Sequence, residues 1–68
     1  MAVVKVIELI AESDTGWDGA THEALVQAQK SVNNIQNIYV REMKAIVEDN
    51  KITKYRVNVK VAFIVEGT

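Results

Sequence analysis

The amino-acid sequence predicts a small α+β domain whose elements follow the order strand, helix, strand, strand. The main observation is a segment, residues 34–65, with the pattern of one long β-hairpin that turns at residues 48–51. Its second half alternates strictly between apolar and polar side chains, which is typical of a strand with one buried face. The apolar face consists of Tyr55, Val57, Val59, Val61, Phe63 and Val65. The polar face carries Lys54, Arg56, Asn58 and Lys60.

Chain length limits how such a domain is stabilised. The 68 residues are enough for one domain, spanning residues 1–68, with a thin core. A chain of this size buries only about 60% of its unfolded surface, and small scaffolds usually add disulfides, a metal or oligomerisation. The absence of cysteine excludes disulfides and thiolate metal sites, and the single histidine, His22, cannot build a zinc site without other ligands. We therefore expect an oligomer.

Composition and charge argue against two classes of partner. The chain is 49% apolar and 25% charged, with a formal net charge of −1 and interspersed signs. There is no basic stripe for nucleic acid, and no apolar run reaches the length of about 18 residues that a membrane span needs. The apolar N-terminal segment is interrupted by Lys5 and Glu8 and has no cleavage signal, so we expect a cytoplasmic protein.

The first strand is predicted at about residues 2–11, and both of its faces are largely apolar. A strand in an open sheet with one wet face should alternate more cleanly. One interpretation is a buried strand covered by the helix on one side and by a loop on the other. The other interpretation, which we favour, is that the second face contacts another subunit, because the chain has too little material to cover both faces itself.

A helix is predicted after a turn at residues 13–16. Thr15 and Asp18 have the spacing of a capping box, with Ser13 and Asp14 as competing caps, and the helix is expected to end near Ser31 or Asn33. One stripe at helical spacing contains Trp17, Ala20, Ala24, Ala28 and Val32. Three alanines in this stripe predict a close approach of the helix to the sheet, and Trp17 is expected to be a core or interface anchor.

The second strand is predicted at about residues 35–47, and its apolar residues have mixed parity. This pattern indicates a bend or bulge near the middle of the strand. A right-handed helical crossover would leave the first two strands parallel. The third strand, antiparallel to its hairpin partner, can then lie between them.

No catalytic arrangement is present in the sequence, and we expect a non-enzymatic protein. Ser13, Ser31 and His22 lack the spacing of a nucleophile and base, and the glycines form no phosphate-binding loop. In a symmetric oligomer a carboxylate could form a ring around an axis and hold Ca²⁺ or Mg²⁺. Arg56, on the polar strand face, either faces water or lines a cavity between subunits.

The sequence resembles the dodecins, small flavin-binding proteins of similar length. The resemblance is carried by Val4-Lys5-Val6-Ile7, Ser13, Trp17, Ala20, Ala24, Ala28, Ser31-Val32 and Lys54-Tyr55-Arg56-Val57-Asn58-Val59-Lys60-Val61-Ala62-Phe63. It implies an antiparallel three-stranded sheet wrapped on one helix and a hollow shell of twelve subunits. It also implies flavins bound in pairs between subunits, each stacked on a tryptophan of the second strand and hydrogen-bonded by a glutamine early in the third.

This sequence departs from the dodecin pattern at both flavin positions. Asn37 stands where the stacking tryptophan is expected, and Arg56 stands where the glutamine is expected. Asparagine has no aromatic face, so a stacking contribution of about 1–3 kcal/mol is missing. Arginine can only donate, whereas an amide both donates and accepts. Tyr39, of the same parity as Asn37, is the neighbouring aromatic residue that could replace the platform.

The expected function is small-ligand binding or storage by a homododecamer in which flavin binding is weak or absent. No resident cofactor is assigned. One alternative is genuine storage of riboflavin or FMN, with Tyr39 and Arg56 in place of the usual pair. The other alternative is a divalent-cation-binding or purely structural oligomer, with Glu42 as the candidate ligand of Ca²⁺ or Mg²⁺ near a symmetry axis. The expected partners are other copies of the chain and a small aromatic ligand.

Overall fold

A computed structural model describes residues 2–65 and confirms the predicted β-α-β-β order. The elements are β1 (Val3–Ser13), α1 (Trp17–Gln29), β2 (Ile35–Glu48) and β3 (Lys51–Val65). The sheet has the order β1-β3-β2, and both outer strands are antiparallel to β3. The two outer strands are therefore parallel to each other, as the helical crossover predicts. The third strand lies between them because its apolar face must lie under the helix.

The core is a contact between small residues of the helix and β-branched residues of the central strand. Its fully buried members are Ala20, Ala24, Ala28, Val57, Val59 and Val61. Alanine has no side chain beyond Cβ, so the helix backbone lies close to the sheet and the three valines are completely covered. The predicted alanine stripe and the predicted apolar face of β3 are both confirmed. Ile7, Leu9 and Ile38 pack at the margin of this core.

The predicted capping box at the helix start is wrong. Gly16 occupies the N-cap with φ 156°, and no side chain caps the helix. The Thr15 N–H and hydroxyl are instead within hydrogen-bond distance of Ser13 Oγ, at 3.0 and 2.9 Å, and the Asp18 carboxylate accepts from the Gly19 N–H. A Cβ on Gly19 would lie 2.9 Å from the hydroxyl oxygens of Ser13 and Thr15. The turn thus packs its own hydroxyls against the first helical turn, and none of them is placed to act as a cap.

The helix ends earlier than predicted, at Gln29, where the backbone hydrogen bonds of Lys30 and Ser31 tighten to i to i−3 spacing. The N–H groups of Ser31 and Val32 both donate to the Ala28 carbonyl oxygen, at 3.0 Å each. Asn34 then adopts the left-handed conformation, with φ 61°, and directs the chain into β2.

The hairpin contains the predicted irregularity and the predicted turn. The β2–β3 register shifts at three places, between Ile35 and Asn37, between Val40 and Glu42, and between Ile46 and Val47. The middle shift is the bulge that the mixed parity of β2 indicates. Asp49 and Asn50 have φ values of 51° and 64°, the left-handed pair that a two-residue hairpin loop requires.

The chain is elongated and leaves much apolar surface uncovered. Its extents are 53 × 19 × 13 Å and its radius of gyration is 14.0 Å, whereas a compact chain of this length has a radius of about 11 Å. The predicted second apolar face of β1 is confirmed, since Val4, Val6 and Ile10 are 54%, 54% and 65% exposed. Met43, Val47 and Ile52 are uncovered towards the far end of the hairpin.

We predict that Ala24→Leu destabilises the protein by about 1–3 kcal/mol, because the added carbons have no space between helix and sheet. Urea unfolding at a fixed protein concentration measures the loss. His22→Leu, on the exposed side of the same helix, is the matched control and should change the free energy of unfolding by about 0.5 kcal/mol or less. Equal effects of the two substitutions would contradict the close helix–sheet contact.

Candidate functional site

The candidate site lies on the face of the sheet that points away from α1, which we call the open face. Because side chains alternate along a strand, the partners of the buried valines define the helix side and the intervening residues define the open face. In β1 and β3 the open face carries Val4, Val6, Glu8, Ile10, Glu12, Lys54, Arg56, Asn58, Lys60, Ala62 and Ile64. In β2 it carries Asn37, Tyr39, Glu42, Lys44 and Ile46. All four residues proposed from the sequence are on this face.

Within one chain the structure does not bring the two flavin positions together. Asn37 lies opposite Ala62, and Arg56 lies opposite Lys44. Ala62 and Arg56 are six residues apart along β3, which corresponds to about 20 Å. Tyr39, opposite Lys60, is closer by two residues. A site that uses both Asn37 and Arg56 therefore needs the two residues from different subunits.

Arg56 is held by Glu12 of the neighbouring strand. The two residues are directly opposite in the β1–β3 register. Arg56 Nε and Nη2 donate to Glu12 Oε2 at 2.8 and 2.5 Å, and Lys54 Nζ lies 4.0 Å from Glu12 Oε1. The hydrogen bonds from Arg56 lower the pKa of Glu12 below the ordinary value of 4.5, and the charges of Arg56 and Lys54 act in the same direction against desolvation.

This pair matters more for the site than for stability. The side chains of Arg56 and Glu12 are 41% and 34% exposed, and ion pairs with this much solvent contact contribute little to folding. Its effect is to occupy two donors of the guanidinium and to neutralise its charge. The amino-acid sequence does not reveal the pairing of Glu12 with Arg56, because only the strand register places the two residues opposite each other.

A second ion pair crosses the whole sheet. Arg41 Nη1 donates to Glu8 Oε2 at 3.0 Å, which joins β2 to β1 over the central strand. Arg41 is the residue left without a β3 partner by the bulge between Val40 and Glu42. The bulge therefore places one additional long side chain, that of Arg41, on the open face.

A small cavity of about 60 Å³ opens beside Arg56. It is lined by Ile10, Glu42, Lys44, Arg56 and Asn58. The Asn58 side-chain oxygen is buried there and has no hydrogen-bond partner among the described residues. A buried acceptor without a donor costs about 1–3 kcal/mol, so this position calls for a donor from water, a ligand or another subunit. The cavity is large enough for a few water molecules.

Glu42, the proposed cation ligand, lies opposite Asn58 on this cavity. Lys44 and Arg56 share the lining, which disfavours a cation held by one chain. Among residues 2–65 there is no group of three or more histidine, cysteine, aspartate or glutamate side chains placed to hold a metal ion. A site for Ca²⁺ or Mg²⁺ therefore needs carboxylates from several subunits.

Trp17 joins the start of the helix to the hairpin. Its indole Nε1 donates to the Lys44 carbonyl oxygen at 2.9 Å, and its ring packs edge-on against Tyr55 with centroids 5.1 Å apart. Trp17 is 37% exposed, so one edge of the ring stays available. The indole thus connects the helix start to both β2 and β3, which supports the predicted role of an anchor.

Two wider hollows lie at the C-terminal end of α1, and none of the four predicted site residues lines either of them. One, of about 540 Å³, is lined by Leu25, Gln29 and the loop that leads into β2. The other, of about 320 Å³, is lined by the same loop, Lys5 and the end of β3.

In the described part of the chain no helix is long and apolar enough to cross a membrane.

One helix packed on a three-stranded antiparallel sheet, with a charged and partly apolar open face, defines a small β-α-β-β protein. The family model for dodecin matches residues 3–66, and the chain belongs to the dodecin family. The chain is 36% identical over 63 residues to the calcium dodecin of Mycobacterium tuberculosis, covering 93% of this chain and 89% of that protein. It is 29% identical over 66 residues to the dodecin of Thermus thermophilus, covering 97% and 96%.

Solved structures show the same fold. A Thermus thermophilus protein superposes with a TM-score of 0.94 at 28% identity, over 100% of both chains. The calcium-chelating dodecin antigen of Mycobacterium tuberculosis, described with a novel calcium-binding site, has a TM-score of 0.82 at 33% identity, covering 97% of this chain and 94% of that chain. The dodecin of Streptomyces davaonensis, at 23% identity, has a TM-score of 0.91 over 97% of each chain and agrees in fold.

We predict that Arg56→Gln raises the pKa of Glu12, measured by carbon-13 NMR of the side-chain carboxyl group. Because the pKa of Glu12 is lowered in the folded protein, the contribution of the pair to stability is present above the unfolded-state pKa. It is lost as the pH falls through the folded-state pKa. The stability difference between wild type and Arg56→Gln should therefore shrink on acidification. Arg41→Gln is the control and should leave the pKa of Glu12 unchanged.

Proposed function

We propose that the protein is a non-enzymatic, dodecin-like small-ligand binding or storage protein that assembles as a hollow homododecamer and binds flavin weakly or not at all. The dodecin family as a whole is non-enzymatic. The proposal rests on which residues occupy the two positions where dodecins are expected to bind flavin. Asn37 offers no aromatic platform, and two donors of Arg56 are engaged by Glu12.

Assembly is supported by the surface that one chain leaves uncovered. The apolar residues Val4, Val6 and Ile10 lie on the open face, and the far end of the hairpin extends beyond the helix. Exposed apolar surface of this extent is typical of an interface. The proposed site is also incomplete within one chain, because Asn37 and Arg56 are about 20 Å apart along the sheet. Association of subunits would cover the apolar surface and would bring Asn37 of one subunit near Arg56 of another.

Storage of riboflavin or FMN is the first alternative, and one observation favours it. Tyr39 is 63% exposed on the open face, two residues from Asn37. A tyrosine ring has the flat apolar surface on which an isoalloxazine can stack. In this alternative Tyr39 replaces the tryptophan, and the Arg56 side chain donates to the ring carbonyls from another subunit.

A divalent-cation-binding oligomer is the second alternative, supported by the 36% identity to a calcium dodecin. Glu42 would contribute one oxygen ligand, and copies of Glu42 around a symmetry axis would complete the site. Carboxylate oxygens are the ligands that Ca²⁺ and Mg²⁺ prefer. The neighbouring Lys44 opposes this arrangement unless its ammonium group turns towards solvent.

We predict that size-exclusion chromatography with light scattering gives a mass of twelve 7.6 kDa chains, about 91 kDa. The mass should be the same in calcium and in excess chelator. A mass near that of one chain would contradict the assembly. A mass or melting temperature that falls with chelator in wild type, and does not in Glu42→Gln, would favour the cation alternative.

We predict that wild type does not quench riboflavin or FMN fluorescence at micromolar concentration, whereas the double variant Asn37→Trp/Arg56→Gln does. The indole supplies the stacking surface and the amide supplies a paired donor and acceptor. The two single variants are the controls and should quench less than the double variant. Quenching by wild type that Tyr39→Ala abolishes would favour flavin storage. A double variant that assembles and ignores flavin would contradict the assignment of these positions.

A further inference from the structure

We propose that Glu12 is a specificity-determining residue of the open face. It occupies, as an internal carboxylate, the place where an anionic group of a ligand would pair with Arg56, and so excludes phosphate-bearing and carboxylate ligands from this site. The inference rests on the proposed function in so far as the open face is the ligand-binding face. It assigns the chemical class of ligand that the site rejects.

The Glu12 carboxylate contacts Arg56 in the way that a bound anionic ligand would. Two donors of one guanidinium, Nε and Nη2, converge on a single oxygen, Glu12 Oε2, at 2.8 and 2.5 Å. Lys54 approaches the other carboxylate oxygen at 4.0 Å. A phosphate or carboxylate of a ligand makes the same contacts with an arginine. An anionic ligand that pairs with Nε and Nη2 must therefore first displace Glu12.

Charge balance around the cavity supports the same conclusion. The groups beside the cavity are two carboxylates, Glu12 and Glu42, and three cations, Lys44, Lys54 and Arg56. With Glu12 in place the excess is one positive charge. Without the charge of Glu12 the excess is two, on a small concave surface that would then attract anions.

The buried unpaired atom beside the cavity is a hydrogen-bond acceptor, which does not suit an anion. The buried Asn58 Oδ1 is an acceptor without a partner among the described residues. It needs a donor, which a phosphate dianion or a carboxylate does not provide. This atom is therefore suited to water or to an uncharged ligand that donates a hydrogen bond.

Pyrophosphate binding at constant ionic strength, measured by calorimetry on the assembled protein, tests the proposal. Wild type should bind weakly, and Glu12→Gln should bind at least about tenfold more tightly, because the released guanidinium then pairs with the probe. Glu12→Gln/Arg56→Gln should lose this gain. Glu8→Gln is the matched control, since it removes an equal charge from the same strand and releases Arg41 instead of Arg56.

Three results would overturn the proposal: wild type that binds as tightly as Glu12→Gln, an equal gain in Glu8→Gln, or a gain that persists without Arg56. If Glu12→Gln does not assemble, Glu12→Thr, which suits a strand position, is measured against the same controls and decides in the same way. The readout contains no flavin. A wild type that stores flavin but rejects pyrophosphate would refute the proposed function and leave this inference standing.

Discussion

The contact between three alanines of the helix and three valines of the central strand is the constraint on which the rest of the structure depends. Ala20, Ala24 and Ala28 have no bulk to hold the helix off the sheet, so Val57, Val59 and Val61 are fully covered. The helix, 13 residues long, covers only part of a hairpin whose strands have 14 and 15 residues. The remaining hairpin and the second face of the sheet are not covered by any element within residues 2–65.

That incomplete cover links the fold to the proposed function. A chain of this length cannot bury both faces of such a sheet, so the open face is available to other subunits and to ligands. The face is not uniformly polar, because the β1 side carries Val4, Val6 and Ile10 beside the ion pairs of Glu8 and Glu12. We propose that apolar contact drives association, while the paired charges decide which chemical groups are admitted between subunits.

Much of the fold follows from the sequence, and the errors have local physical causes. The strict alternation of β3 correctly predicts its buried valines, and the mixed parity of β2 correctly predicts a bulge. The capping box at Thr15 is wrong because Gly16, in a conformation that favours glycine, turns the chain before the helix starts. The Glu12–Arg56 pair could not be predicted, since β1 and β3 are separated by more than 35 residues and a shift of one residue in register would move Glu12 to the other face.

The sequence alone determined the order of the elements, the two faces of β3, the alanine stripe, the hairpin turn and the residues that depart from the dodecin pattern. These are properties of neighbours along the chain, and periodicity reports them directly. The tertiary structure decided which side chains meet across strands. It brought Glu12 into hydrogen-bond contact with Arg56. It also directed Arg41, at the bulge, to Glu8, and it separated Asn37 from Arg56 along the sheet. Such pairings depend on long-range register, which no local pattern contains.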